Sequence, residues 1–236
     1  MTYGLKTMSH EDFLALKADA EIIESDQYGE KVLRLTDGRF LKLFRRKRLI
    51  TSTALYPYAL RFVDNAEELA RAGGWGIPVP RVIEAWRIPS LKLDAVLYWP
   101  LEGNNLRTLV RQGFAAETEK RMKRLFTDFV IYLHSLGIYF RSLHLGNVIL
   151  TPDGRLGLID FSDLCIYNRP LPVFMCRRNI QRMQKSAEER DWVGSEAIIK
   201  AALNNSESSI WPGFLVELAL QRLQKTGIFR SKPRKF

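Results

Sequence analysis

The spacing of hydrophobic residues predicts strands in the first half of the chain and helices in the second. Apolar runs on either side of an Asp-Gly pair in "EKVLRLTDGRFLKLF" predict a β-hairpin, because Asp-Gly favours the tight turn between antiparallel strands. Between residues 118 and 136, apolar positions three or four residues apart predict a long amphipathic helix that ends at Gly137. A second hairpin is predicted in "NVILTPDGRLGLID", where Pro-Asp-Gly supplies the turn.

The remaining elements continue this division. Ser9, with an aspartate three residues later, is typical of the start of a short helix. Residues 58–73 fit a helix closed by glycines, and "GIPVPRVIEAW" and "LDAVLYWPLEG" predict an extended segment and a strand. Beyond the second hairpin, "RRNIQRM", residues 188–202 and "FLVELALQRLQ" have helical spacing. The sequence therefore predicts a two-lobed α+β fold, with a β-rich lobe in residues 1–100 and a mostly helical lobe in residues 101–236.

The distribution of charge adds a candidate partner. The 236 residues are 46% hydrophobic and 26% charged, ordinary values for a globular domain, and no stretch approaches the roughly 20 apolar residues of a membrane span. The first 30 residues hold two lysines and seven acidic residues, a net charge of −5, so the rest of the chain carries +15. This surplus predicts an anionic partner, unless the basic surface only keeps the protein in solution.

The anionic partner could be nucleic acid, a phospholipid surface or a phosphorylated glycolipid. Nucleic acid is least expected, because the basic residues are scattered and no recognised nucleic-acid module is present. The first residues, "MTYGLKTMSHEDF", contain no basic-then-apolar leader, which predicts a cytoplasmic location. The expected contacts are Arg45 to Arg48, Arg177, Arg178, Arg182 and the tail from Arg230 to Lys235.

Three side chains follow one another along the chain in the order that phosphoryl transfer uses them. Lys42 lies in the strand "RFLKLF" with phenylalanines two residues to either side, so it is predicted to bind phosphate unless that face lies on the outside of the sheet. Asn147 and Asp160 flank the second hairpin, which brings both side chains to the same end. Oxygen ligands of this kind suit Mg²⁺, although Asn and Asp are also common at strand ends. The order of the motifs, more than any one residue, predicts the site.

The segment "LHSLGIYFRSLHLGNVIL", followed by "LGLIDF", resembles the catalytic core of the protein-kinase-like superfamily, and within it the bacterial small-molecule branch. "DGRFLKLFR" and "RPLPVFMCRRNIQRM" are similar to the lipopolysaccharide core kinases and their relatives known as toluene-tolerance proteins. The resemblance covers residues 28–190. It implies ATP and Mg²⁺ as cofactors. It also implies an acceptor hydroxyl on the inner-core sugars of lipopolysaccharide, at the cytoplasmic face of the inner membrane.

The resemblance also assigns roles to individual positions. The assigned residues are Lys42 for the α- and β-phosphates, Asn147 and Asp160 for the metal, and Leu97, Trp99 and Leu101 in the adenine-binding hinge. In the family, a glutamate on a helix pairs with the strand lysine. That position falls near Asn65 in this chain, with Glu67 and Glu68 close behind.

The catalytic loop departs from the family. The family's His-Gly-Asp is Phe140-Arg141-Ser142 here, so the carboxylate that orients the acceptor hydroxyl is absent. His144 is a candidate replacement base, although the family motif has a histidine there that usually serves structure. The chain also lacks a glycine-rich loop before the first hairpin, where Gly29 stands alone.

These observations together predict a kinase-like protein that binds ATP and Mg²⁺ and acts as an atypical phosphotransferase on lipopolysaccharide, peripheral to the inner membrane. Ser142 and His144 are its candidate catalytic residues. Positioning and electrostatics carry most of the catalysis of phosphoryl transfer, so loss of the base need not abolish activity. Two alternatives stay open. One is a pseudokinase that regulates or scaffolds lipopolysaccharide assembly in response to nucleotide, and the other is an adenylyl transferase.

Overall fold

The computed structural model describes residues 4–45, 56–74, 76–183 and 187–194. The basic cluster at residues 46–48, the predicted helical segment beyond residue 194 and the basic tail lie outside these ranges. The strands are β1 (Lys6–Thr7), β2 (Glu21–Asp26), β3 (Gly29–Arg34), β4 (Phe40–Arg45), β5 (Arg81–Ile88), β6 (Leu93–Trp99), β7 (Asn104–Asn105), β8 (Ile138–Phe140), β9 (Val148–Leu150), β10 (Leu156–Leu158) and β11 (Leu164–Ile166). The helices are α1 (His10–Leu16), α2 (Tyr58–Arg71), α3 (Leu106–Gln112), α4 (Ala116–Ser135), α5 (Val173–Met183) and α6 (Ala187–Val193).

The chain has the predicted α+β class and divides into two compact units. The first contains residues up to Leu106 together with Gly146–Cys165, and the second contains Arg107–Leu145 together with residues from Ile166 onward. Strands dominate the first unit and helices the second. The second hairpin, which falls in the predicted helical lobe, belongs to the first unit, where the Leu158 amide donates to the Pro78 carbonyl at 2.9 Å.

The first unit is built on a six-stranded mixed sheet in the order β1-β5-β6-β4-β3-β2. Only β1 and β5 are parallel; the hairpin of β3 and β4 is antiparallel, as its Asp-Gly turn predicts. At that turn the Asp37 carboxylate accepts from the Arg39 amide at 3.0 Å, and Gly38 has a φ of 88° that suits glycine. The predicted cap of α1 is also confirmed, because the Ser9 hydroxyl accepts from the Asp12 amide at 3.0 Å.

The two faces of this sheet carry different side chains because successive residues of a strand point to opposite sides. One face packs against α1 and forms an apolar core in which Phe13 of the helix meets Leu41 and Leu97 of the sheet. The other face carries Lys42 and packs against α2, where the Phe62 ring lies 5.5 Å from the ring of Tyr98. The strand lysine therefore faces α2 and does not point to the outside of the sheet.

The second unit is organised around α4, the long amphipathic helix that the sequence predicts. Its apolar stripe is buried from Met122 to Leu133, and the Phe126 ring lies 6.1 Å from Trp192 on α6. Gly137 follows with a φ of 76°, the left-handed conformation that commonly ends helices. A search of the described helices found none with both the length and the apolar character needed to cross a bilayer.

Candidate functional site

Lys42 is buried and paired with a carboxylate. Its register on β4 places it opposite Val96 of β6, on the face that packs against α2. The residue is 7% exposed, and its Nζ donates to Oδ1 of Asp160 at 2.7 Å. A buried ammonium without a partner would be costly, so this ion pair is the reason that the lysine can lie inside the fold.

Asp160 holds an unusual backbone conformation at this pair. Its φ is 54°, a left-handed value that is uncommon outside glycine, although aspartate adopts it more readily than most residues. One carboxylate oxygen is engaged by Lys42, yet the side chain is 44% exposed. Lys42 therefore orients the Asp160 carboxylate, while part of the carboxylate remains exposed and accessible to a cation.

Asn147 lies at the same end of the second hairpin as Asp160. Strands β9 and β10 pair antiparallel, and beyond their ends the Asn147 carbonyl accepts from the amide of Ile159 at 3.0 Å. Asn147 is buried, and the residue before it is anchored because Asn105 donates to the Gly146 carbonyl at 2.6 Å. The hairpin thus brings the two oxygen-bearing side chains to one end, the placement that the sequence predicts.

The glutamate pairing expected of α2 does not occur. Glu67 instead pairs with Arg71 at 2.8 Å, and Glu68 is exposed. Asn65 turns toward the segment after Asp160, and its Nδ2 donates to the carbonyls of Phe161 at 2.8 Å and of Leu164 at 3.2 Å. Sequence reasoning located the position of Asn65 but not this contact, because nothing in the local pattern specifies it.

The predicted hinge residues do not share one environment. Leu97 is opposite Leu41 in the core next to α1, so its side chain lies on the other sheet face from Lys42. Trp99 is 37% exposed and lines an open groove of about 640 Å³, which Leu101 also lines.

Tyr98 is a residue of the Lys42 face that the sequence analysis missed. It follows Leu97 on β6, so strand alternation turns it toward α2. Burial, and then the neighbouring Asp160 carboxylate, raise the pKa of the Tyr98 hydroxyl. Its neutral ring belongs to an aromatic cluster with Phe40 and Phe62. The alternation of β6 could have identified it, because it lies two residues from the position opposite Lys42.

The start of the predicted catalytic loop is anchored within the second unit. The Phe140 carbonyl accepts from Nδ2 of Asn179 on α5 at 2.6 Å, and Oδ1 of Asn179 lies 3.0 Å from Nε2 of His134. All three residues are buried. Burial lowers the pKa of His134, and the bond to Asn179 opposes this only in part, so the ring is neutral and donates from Nε2. Ser142, the residue in place of the family's aspartate, is half-buried two positions later.

His144 is held by a charged neighbour in one tautomer. Its Nδ1 lies 3.1 Å from a terminal nitrogen of Arg107, and a guanidinium can only donate. Arg107 is itself fixed by Glu189, a buried carboxylate that accepts from its Nε at 2.7 Å. The imidazole therefore accepts at Nδ1 and carries its proton on Nε2. This geometry favours His144 as a hydrogen-bond donor through Nε2 over His144 as a base at Nδ1.

The side chains of the first unit fit a nucleotide phosphate and a hard cation. The ammonium of Lys42 suits phosphate oxygens, and the carboxylate of Asp160 and the amide oxygen of Asn147 suit a hard cation. Ser162, two residues after Asp160, has a buried hydroxyl with no hydrogen-bond partner among the described residues. Within those residues no cluster of three or more His, Cys, Asp or Glu side chains offers an alternative metal site.

Comparison with known proteins supports a kinase relationship and no narrower one. No protein-family model matches the chain. A stretch of 76 residues, 32% of this chain, is 38% identical to the serine/threonine-protein kinase WAG2 of Arabidopsis thaliana. The match covers 14% of the length of that kinase. The similarity supports a protein-kinase-like relationship and does not support the narrower resemblance to bacterial lipopolysaccharide kinases.

Proposed function

We propose that the protein binds ATP with Mg²⁺ through its first unit and acts as a slow phosphotransferase. The observation that carries the proposal is the ion pair between the buried Lys42 and the partly exposed Asp160, with Asn147 at the same hairpin end. Such a pair contributes little to stability, because desolvation of the buried Lys42 ammonium offsets its attraction to the partly exposed Asp160 carboxylate. A functional role accounts for the pair better, because Lys42 can contact an anionic ligand and Asp160 can bind a cation.

Each residue has a distinct task in this proposal. Lys42 donates to phosphate oxygens, and its burial keeps water from screening the contact. Asp160 and Asn147 hold the metal ion, which when bound neutralises the charge that develops on the transferring group. Tyr98 stays neutral beside them, so it adds no negative charge that would oppose a phosphate.

The missing carboxylate in the loop at residues 140–147 lowers the expected rate of phosphotransfer without abolishing it. General-base assistance is worth about 10²–10⁴-fold, and neither Ser142 nor the Nδ1 atom of His144 supplies it. Orientation of the reactants and electrostatic stabilisation by the remaining groups still contribute. The Nε2 proton of His144 makes the residue a hydrogen-bond donor in the catalytic loop.

The proposed acceptor is a hydroxyl of a lipopolysaccharide inner-core sugar, reached from the cytoplasmic face of the inner membrane. Two observations support an anionic acceptor of this kind. The chain carries +15 beyond residue 30, and α5 exposes Arg178 beside Phe174, whose side chain is 70% exposed. Basic residues next to an exposed aromatic are typical of proteins that meet an anionic membrane surface.

A pseudokinase is the second candidate. The observation that favours it is the same loop, because Ser142 has no carboxylate and His144 is oriented as a donor. In that case the first unit binds nucleotide and reports its presence to a partner. Binding alone does not distinguish the two candidates, whereas formation of a phosphorylated acceptor does.

Isothermal titration calorimetry of ATP, with Mg²⁺ and with a chelator, tests the binding site. Wild type is expected to bind ATP only with the metal, and Lys42→Ala and Asp160→Ala are expected to lose most of that binding. Lys6→Ala is the matched control, because Lys6 is a solvent-exposed lysine at the sheet edge that also pairs with a carboxylate. Equal affinity in all four proteins, with or without Mg²⁺, would exclude the proposed site.

A further inference from the structure

Helix α2 is attached to the backbone that follows Asp160 by two separate contacts. The amide of Asn65 donates to two carbonyls of that segment, at 2.8 Å and 3.2 Å. One turn earlier on the helix, the Phe62 ring stacks on the Phe161 ring with centroids 4.6 Å apart and planes 15° from parallel. Both rings are almost completely buried.

These contacts hold the segment that directly follows Asp160. Asp160 is in the left-handed region, a conformation that is uncommon outside glycine. Lys42 holds the carboxylate, while the contacts of α2 hold the backbone from Phe161 to Leu164. Removing the contacts of α2 would leave the lysine as the main restraint on the direction of the Asp160 side chain.

We infer that Asn65 is a positioning residue, which holds the Asp160 carboxylate in the orientation that binds the metal. The inference rests on the proposed function. A glutamate at this position could pair with Lys42 and would compete with Asp160 for the ammonium. The neutral amide of Asn65 cannot compete in this way, and it has two donor hydrogens that satisfy two carbonyls at once. The helix thus stabilises the ion pair through the backbone of the aspartate segment.

If the hydrogen bonds of Asn65 served only the fold, removing them would lower stability and would change ligand affinity only by unfolding the protein. A positioning role makes a different prediction. Residues that orient a metal ligand typically contribute about 10–100-fold to metal affinity. The loss should therefore be specific to Mg²⁺, and excess Mg²⁺ should restore the affinity for ATP.

The test uses Asn65→Leu, which has no donor, and Asn65→Gln, which keeps the amide on a longer side chain. Calorimetric titrations of ATP at a series of fixed free Mg²⁺ concentrations give the Mg²⁺ concentration at which ATP affinity is half-maximal, and thermal unfolding reports stability. We expect Asn65→Leu to raise that concentration about 10–100-fold, Asn65→Gln to recover part of the loss, and saturating Mg²⁺ to restore ATP affinity. Glu68→Gln, an exposed change on the same helix, is the control and should match wild type.

Each outcome separates this inference from the proposed function. Wild type that fails to bind ATP with Mg²⁺ contradicts the proposed function itself. Wild type that binds, together with Asn65→Leu that has an unchanged Mg²⁺ requirement, overturns the role of Asn65 and leaves the site standing. Should Asn65→Leu show no cooperative unfolding, Asn65→Ser, whose hydroxyl is too short to reach both carbonyls, is judged by the same two measurements.

Discussion

Ser142 and its neighbour Arg141 are the residues at which the proposed phosphotransferase activity can be tested most directly. In the family that the loop resembles, an aspartate at the position of Ser142 orients the acceptor hydroxyl. The arginine before it is exposed. Restoring the carboxylate alone would place it beside a guanidinium, which could pair with it and turn it from the acceptor. The informative variant therefore changes both residues.

The double variant Arg141→Gly with Ser142→Asp should transfer phosphate faster than wild type. A restored base is expected to raise the rate by about 10²-fold or more, since general-base assistance is worth about 10²–10⁴-fold. The measurement is mass spectrometry of an authentic core oligosaccharide after incubation with ATP and Mg²⁺. Single Ser142→Asp is the comparison and should gain less.

The mass of the product also separates the remaining candidates. An acceptor that gains AMP with the wild-type protein would identify an adenylyl transferase. An unmodified acceptor with both proteins, despite proven binding of ATP with Mg²⁺, would identify a pseudokinase and contradict the phosphotransferase proposal.

His134 should make the protein less stable in acid. Burial lowers the folded-state pKa of the imidazole below its ordinary value of 6.5, so the unfolded chain binds the proton more readily. Stability from this residue is therefore complete above pH 6.5 and is lost as the pH falls below it, by at most about 1.4 kcal/mol per pH unit. Urea unfolding of wild type and His134→Gln across this range measures the difference.

Glutamine cannot titrate, so His134→Gln should show a weaker dependence of the unfolding free energy on pH. His10→Gln is the control, because His10 is exposed and its loss should leave the wild-type dependence intact. Parallel pH profiles for wild type and His134→Gln would show that the buried ring does not titrate on unfolding.

At the end of α4, a glycine allows the backbone to pack closely against another segment of the chain. At the end of α4, a Cβ added to Gly137 would lie 2.2 Å from the Tyr167 carbonyl oxygen and 2.4 Å from that of Arg169. These atoms are backbone and cannot move aside as a side-chain tip could. At the end of α3, Gly113 has a similar φ of 82°, but a Cβ there would meet no atom within 4 Å.

Gly137→Ala and Gly113→Ala should therefore differ in stability although both introduce the same methyl group. Each variant incurs the left-handed strain of a non-glycine residue, about 1–2 kcal/mol. Gly137→Ala should lose at least about 2 kcal/mol more, because a backbone segment has to shift. Urea midpoints for the two variants measure the difference, and equal midpoints would show that the Tyr167 segment yields without cost.

On the scale of the whole molecule, the charge surplus predicts binding to anionic membranes that salt weakens. Exposed charges act over about one Debye length, roughly 8 Å at physiological ionic strength. Co-sedimentation with phosphatidylglycerol vesicles should therefore fall steeply as salt rises, and phosphatidylcholine vesicles should bind little. Binding that is indifferent to lipid charge or to salt would contradict the proposed membrane partner.

Of the expected basic contacts, Arg45 lies on β4 and pairs with Asp26 at 3.1 Å, while Arg177, Arg178 and Arg182 lie on helix α5. Arg178→Gln and Arg182→Gln should each weaken vesicle binding by about fivefold, since a basic residue near an anionic surface contributes about 1 kcal/mol. Arg124→Gln is the matched control, an exposed arginine on α4 with only a long 3.9 Å pairing to Asp128. A loss of equal size in the control would mean that net charge, and not the α5 surface, governs binding.

Most elements could be predicted because they depend on local pattern. The hairpin of β3 and β4 follows from its Asp-Gly turn, and α4 from its apolar stripe, since turn chemistry and periodicity act within a few residues. The chain order of Lys42, Asn147 and Asp160 was likewise visible. Leu97 was harder to place, because the choice of sheet face depends on register, which neighbouring strands set.

The sequence by itself determined which polar residues are candidates for the site, and the tertiary structure decided which of them meet. Lys42 is paired with Asp160, 118 residues away, and not with the helix position that family likeness indicates. Asn65 reaches the Phe161 carbonyl across 96 residues, and Arg107 sets the tautomer of His144 across 37. Contacts over such separations are fixed by the packing of strands and helices, so no local pattern encodes them. These contacts bring the polar residues together and orient their side chains.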